Sequence, residues 1–350
     1  MIAFLSEYGM FLAKVATLVV AILFVIGGIA ATASRGRQKA GQDGELKVRH
    51  LNEEFEDLKD SLEAEILPEA QRKKAHKAKR KQEKLEAKQK KKAGTEDKVE
   101  PRLFVLDFDG DVQASAVDHL RREISAVLQV ATQNDEVLVR LQSPGGLVHS
   151  YGLAASQLRR IRNSGIKLTV TVDEVAASGG YMMACIADRI VAAPFAVIGS
   201  IGVVAQIPNF HRLLKKNDID VELMTAGEYK RTMTMLGENT EKGRAKFQEE
   251  LEETHQLFKS FVRDNRRGLD LDKVATGEHW FGSQAKELGL VDEIMTSDEL
   301  LQLRQSSHAL YQVQWEAKRK LGERLGFSLE SSLQRAVEKF WHRGSQRQIH

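Results

Sequence analysis

The sequence predicts an α/β fold built on a mostly parallel sheet, and three observations carry that expectation. From Pro101 onward a strand-forming run, a turn and a helix-compatible stretch follow one another three times, the order that builds layered α/β cores. The turn after the second strand is Ser143-Pro-Gly-Gly. The third strand leads through small residues into Ser178-Gly-Gly-Tyr, where a helix-like stretch begins at once.

The elements can be taken in order. "LFVLDFDG" reads as a buried strand ending in a turn, and Ala114 to Ala131 carries apolar residues at helical spacing. "DEVLVRL" is the second strand, followed by an amphipathic helix from about Gly152 to Ile161. The third strand, Leu168 to Val172, precedes Ser178 and the helical stretch Tyr181 to Ala187. An apolar window at Ile190 to Ile207 is interrupted by Pro194, Gly199 and Gly202 and is rich in β-branched residues, so it reads as short buried strands and turns rather than a membrane span. A last helix, Leu329 to Trp341, places Leu329, Leu333, Ala336, Val337, Phe340 and Trp341 on one face, suited to packing on a neighbour or partner.

Composition sets outer limits. The chain has 350 residues, of which 42% are hydrophobic, enough for a substantial core. The formal net charge of +3 hides an asymmetry, because twelve Lys or Arg fall between Arg72 and Lys92. Cys185 is the single cysteine, so an intramolecular disulfide and a zinc site built on several cysteines are both excluded. Val15 to Ser34 carries no charge and is long enough, as a helix of roughly 30 Å, to cross a bilayer. A retained anchor is expected over a cleaved signal peptide, whose apolar core is shorter and normally follows a positive segment.

These features divide the chain into a membrane anchor at 1–41, with its helix at about 10–34, a charged helical stalk at 42–100, a globular domain at 101–312, and a C-terminal amphipathic helix and tail at 313–350. The stalk is nearly free of aromatics and cannot bury a core of its own. Its basic block suits solvent or anionic lipid headgroups. Nucleic acid is not an expected partner, since no aromatic residue interleaves the lysines.

Ser178 is the candidate nucleophile. At a helix start, free backbone N–H groups and the positive helix end can stabilise a developing oxyanion. A serine hydroxyl needs a base, and no histidine occurs between His149 and His211. Lys230, in "MTAGEYKRTMTMLGE", serves if an apolar site disfavours its ammonium form. A lone lysine is ordinarily a surface residue, so this reading leans on its pairing with Ser178 and the Ser-Pro-Gly-Gly turn. Ser200 is either a turn serine bonded to backbone or the hydroxyl that orients the Lys230 amine. Gly145 and Gly146 either form a tight turn or donate an N–H to the oxyanion beside that of Gly179.

The segments "SPGGLVHSYGLAASQL", "VTVDEVAASGGYMMACIAD", "PFAVIGSIGVVAQIPNF", "TAGEYKRT", "LGENTEKGRAKFQEEL" and "GEHWFGSQAKELGLVDEI" resemble the signal peptide peptidase A family of bacteria. The resemblance extends over nearly the whole chain, anchor and stalk included. It implies a Clp/crotonase-like fold with a repeated ββα core and a Ser-Lys dyad: Ser178 as nucleophile, Lys230 as base, Ser200 orienting the lysine, and Gly145, Gly146 and Gly179 at the oxyanion. It also implies a ring-like homo-oligomer in which serine and lysine can come from neighbouring protomers, a place in the inner membrane, and a catalytic domain in the periplasm. Arg35, Arg37 and Lys39 just after the apolar run conflict with that side, because the positive-inside rule would keep them cytoplasmic. The expected activity is hydrolysis of extended peptides, such as signal peptide remnants or misfolded envelope proteins, with no metal and no cofactor. Acyl-CoA chemistry, within the same fold relationship, and a catalytically silent peptide-binding scaffold are the rival readings.

Overall fold

A computed structural model describes residues 17, 44–69, 71, 81, 85 and 100–317. The expected anchor helix, most of the lysine-rich stalk and the Leu329 to Trp341 helix lie outside the described residues. The chain divides into two compact units. One comprises residues 1–47 and 315–350, and within it Lys47 Nζ lies 2.5 Å from Glu316 Oε2. The other, Val48–Gln314, holds the sites described below.

The main sheet has seven strands in the order β1-β10-β2-β3-β4-β6-β9. These are β1 (Gly44–His50), β2 (Arg102–Asp109), β3 (Glu136–Gln142), β4 (Lys167–Val172), β6 (Arg189–Ala192), β9 (Glu293–Ile294) and β10 (Ala309–Ala317). Every pairing from β10 across to β9 is parallel. A second sheet joins β5 (Val175–Ala177), β7 (Val197–Gly199) and β8 (His279–Phe281), with β5 and β7 parallel and β8 antiparallel.

Alternation along the strands separates two cores. Phe104, Leu106 and Phe108 of β2, with Val137, Val139 and Leu141 of β3, face the larger core. It is closed by helices α2 (Val117–Val130) and α3 (Val148–Asn163). In α2, Leu120, Ile124 and Val127 recur at helical spacing and are buried, each contributing about 1.5–3 kcal/mol. Leu103, Val105 and Leu138 point to the opposite face. There they meet Leu51 of α1 (Leu51–Ile66) and Leu300 and Leu301 of α9 (Ser297–Arg304). The remaining helices are α4 (Gly179–Ala184), α5 (His211–Lys216), α6 (Glu241–Asn265), α7 (Leu271–Val274) and α8 (Gly282–Glu287).

Two boundaries differ from the sequence reading. Residues 44–66, assigned to a solvated stalk, form β1 and α1, because Leu46 and Val48 alternate along a strand and Leu51 and Phe55 reach the second core. The boundary set at residue 312 falls inside β10, which runs on to Ala317. The Ile190 to Ile207 window resolves into β6, β7 and turns, in keeping with Pro194, Gly199 and Gly202. Among the described residues no helix is long and apolar enough to cross a membrane.

Candidate active site

Ser178 stands where β5 hands over to α4. It is half-buried, with φ 51° and ψ −116°, a left-handed conformation rare for a non-glycine residue. Backbone bonds hold it there: its N–H donates to the Gly199 carbonyl at 2.8 Å, and its own carbonyl accepts from Met182 N–H at 3.0 Å. Such strain, of order 1–3 kcal/mol, persists only where the surroundings over-determine it. The parallel register pairs Ala177 with Gly199, so Ser178 and Ser200 are the next residues along the two chains. Ser200 is itself left-handed, at φ 53°, and its N–H donates to the Glu278 carbonyl at 2.7 Å.

The glycine turn closes on the same point. Gly145 has φ 90°, and a Cβ added there would lie 2.7 Å from Ser178 Cβ and 2.8 Å from Gly179 N. Only glycine allows that approach. A Cβ on Gly146 would fall 2.1 Å from the Val112 carbonyl oxygen, so this residue must also be glycine for the turn to pack. Gly145 N–H is already taken, donating to Ser143 Oγ at 3.1 Å. Among the described residues the N–H groups of Gly146 and Gly179 have no partner. Two free donors therefore flank Ser178, and the expected contribution of Gly145 is packing rather than donation.

The turn rests on a relay that the sequence did not reveal. Tyr151 of α3 is fully buried, and its Oη donates to the Asp111 carbonyl at 2.8 Å. With that proton committed, Tyr151 Oη accepts from Ser143 Oγ at 2.5 Å, and Ser143 Oγ accepts from Gly145 N–H. Burial raises the phenol above its usual pKa, partly offset by the Ser143 bond, which keeps the hydroxyl a donor. The same ring packs under the start of α4 beside Ser178, since a Cβ on Gly179 would lie 2.4 Å from Tyr151 Cγ. Ser143 belongs to a motif visible in the sequence; Tyr151 carried no such signal.

Lys230 differs from the desolvated setting expected of it. It lies exposed, its N–H donating to the Gly227 carbonyl at 3.3 Å. Among the described residues no hydrogen bond or ion pair joins its amine to Ser178 or Ser200. The cause is the segment 203–240, which leaves the core and is tied down mainly to itself, as by Phe210 N–H to the Met235 carbonyl at 2.7 Å and Asn209 Nδ2 to the Thr234 carbonyl at 2.9 Å. His149 is also exposed.

Comparison with known proteins adds independent findings. The sequence profile described as "Peptidase family S49 N-terminal" matches residues 3–158, and that described as "Peptidase family S49" matches residues 160–310. The chain is 54% identical over 345 residues to the "Probable protease SohB" of Haemophilus influenzae, covering 96% of each. It is 48% identical over 303 residues to the protein of the same description in Buchnera aphidicola subsp. Schlechtendalia chinensis, covering 85% of this chain and 98% of that one. Among solved structures, a mutant of the 1510-N membrane-bound stomatin-specific protease with a substrate peptide aligns at 17% identity with a TM-score of 0.38, over 58% of this chain and 80% of the other.

Proposed function

The chain belongs to peptidase family S49 and is a serine-type peptidase, and from that premise we propose that Ser178 is its nucleophile and Lys230 its general base. The observation that carries the reading is the convergence on Ser178 of a left-handed serine, two close glycines and two unpartnered N–H groups. Ser178 Oγ attacks the peptide carbonyl, and the oxyanion is held by Gly146 and Gly179 N–H. Lys230 takes the serine proton and returns it to the leaving amine, after which water hydrolyses the acyl-enzyme. Ser200, which follows Gly199, orients the lysine amine. Gly145 supports the oxyanion turn by packing.

Lys230 acts across a boundary between copies in this proposal. Its exposure in the single chain supports that arrangement, as do the apolar side chains its segment holds out to solvent, Met224 at 85% exposure and Leu223, Met235 and Leu236 also exposed. Docked on a second copy, this segment loses its water and brings the amine to Ser178 in a ring-like homo-oligomer. The two sheets represent the repeated ββα core of a Clp/crotonase-like fold. The apolar stretch at residues 15–34 anchors the chain in the bacterial inner membrane, with the catalytic domain on the periplasmic side. Substrates are extended peptides, among them signal peptide remnants or misfolded envelope proteins.

Hydrolysis of an unstructured reporter peptide by the full chain in detergent tests the assignment. Ser178→Ala and Lys230→Arg are each expected to lower kcat/KM by at least about a thousand-fold while leaving the fold intact. Activity retained in Lys230→Arg would remove lysine from the mechanism, because guanidinium does not give up its proton.

A further inference from the structure

The loop that carries Ser200 turns left-handed twice in succession, at Gly199 with φ 98° and at Ser200 with φ 53°. A serine keeps that conformation only where its surroundings over-determine it, and the ties can be named. The Gly199 carbonyl accepts from Ser178 N–H at 2.8 Å, Ser200 N–H donates to the Glu278 carbonyl at 2.7 Å, and the Ser200 carbonyl accepts from Gly202 N–H at 2.9 Å. Gly202 packs closely on the turn at Gly277, since a Cβ there would lie 2.9 Å from Gly277 Cα. All of these ties run from backbone to backbone.

The Ile201 carbonyl is held differently. His255 Nε2, from the middle of α6, lies 3.2 Å from it. A carbonyl oxygen only accepts, so Nε2 carries the proton and donates. The successive carbonyls of Gly199, Ser200 and Ile201 thus each have a partner, and for Ile201 that partner is a side chain of a different element. The Ile201 side chain is fully buried in the larger core, so this residue is fixed through both its side chain and its carbonyl.

The place of His255 in its helix is a second observation. Leu251, His255, Phe258 and Val262 follow one another at steps of four, three and four residues, the spacing of one helical face. Phe258 and Val262 belong to the larger core, and His255 is half-buried. Apolar packing alone favours a leucine at 255, and the bond to Ile201 accounts for a polar ring in that stripe. A donating Nε2 has no lone pair left to take the Ser178 proton. The ring therefore acts on the site through the loop.

We infer that His255 is a positioning residue for peptide hydrolysis: by holding the Ile201 carbonyl it fixes the loop whose Gly199 carbonyl anchors Ser178 N–H and whose Ser200 hydroxyl orients the base. The inference rests on the peptidase reading and on the roles proposed for Ser178 and Ser200. The loop sets the geometry of the reacting groups rather than the grip on the peptide, so loss of the tie falls on kcat and spares KM.

Two substitutions in the full chain in detergent separate positioning from packing. His255→Leu fills the stripe without a donor, and His255→Gln places an amide N–H at similar reach. His255→Leu should lower both kcat on the unstructured reporter peptide and the rate of fluorophosphonate labelling by about ten-fold, with KM within about two-fold and thermal stability unchanged or raised. His255→Gln should recover most of both rates. Amide hydrogen exchange over residues 198–202 should speed up in the leucine variant and slow again in the glutamine variant. Wild-type rates in His255→Leu overturn the inference and leave the peptidase intact. Equal loss in both variants, or a loss that follows a fall in thermal stability, overturns it as well, because shape rather than the donor then decides. Wild-type protein that cleaves no peptide, with faster exchange in the leucine variant, sustains the tie between His255 and the loop and overturns the peptidase reading instead.

Discussion

Tyr151 Oη donates to the Asp111 carbonyl and accepts from Ser143 Oγ, so one buried phenol fixes the turn that presents Gly146 N–H. Tyr151→Phe keeps the ring under Gly179 and removes only the relay. It is expected to cost about 1–2 kcal/mol of stability and to lower kcat about ten-fold with little change in KM, because the loosened turn fails mainly in the transition state. Thermal unfolding beside steady-state kinetics checks this, and an unchanged kcat would mean that glycine packing alone holds the turn. At this scale the junction at Ser178 and the glycine turn beside it were legible as places in the fold, since serine followed by paired glycine stands between a strand-forming run and a helix-like stretch. Tyr151 was not, because nothing local in a helix tells which distant carbonyl a phenol will reach. The exposure of Lys230 was equally hidden, as burial depends on where a long segment travels.

The three strand-turn-helix units of the larger core were legible because each strand is an apolar run and each helix buries one face. β1 was missed because its apolar residues, Leu46 and Val48, sit among charges that dominate a compositional reading. The second sheet was legible only in part, as the short buried strands and turns of the 190–207 window, its strands being three residues each, too short for periodicity. One ion pair joins β2 to the turn before β3: Arg102 binds the nearly buried Asp135 through Nε at 3.1 Å and Nη2 at 2.7 Å, while Thr132 N–H donates at 2.7 Å. Burial raises the Asp135 carboxyl, but the guanidinium and the Thr132 and Arg102 N–H groups outweigh it and hold the pKa at about 2. With the folded value below the unfolded one, the stabilisation, about 2 kcal/mol, is present above about pH 4 and is lost as pH falls toward 2. Asp135→Asn should therefore destabilise the protein at neutral pH and flatten the acid limb of its stability curve. Denaturant unfolding between pH 2 and 7 measures both; an unaltered acid limb would shift acid sensitivity to other carboxylates.

At the scale of the whole molecule, a proposed base that lies far out on an exposed segment makes catalysis a property of an assembly. Segment 203–240 exposes much of its apolar surface and carries Lys230, the proposed base, whereas Ser178, the proposed nucleophile, and the Gly146 and Gly179 N–H groups sit on the core. Mixing Ser178→Ala with Lys230→Ala protein should then restore activity to two inactive preparations once their subunits exchange, because some pairs combine an intact serine with an intact lysine. Exchange without rescue would place both residues in one chain. The central claim, an activated Ser178 that depends on Lys230, is tested most directly by labelling the assembled full chain with a fluorophosphonate probe beside folded Ser178→Ala and Lys230→Ala variants. The account predicts labelling of the wild type and none of either variant. Labelling that persists in Lys230→Ala, or an assembled wild type that does not label, would contradict it.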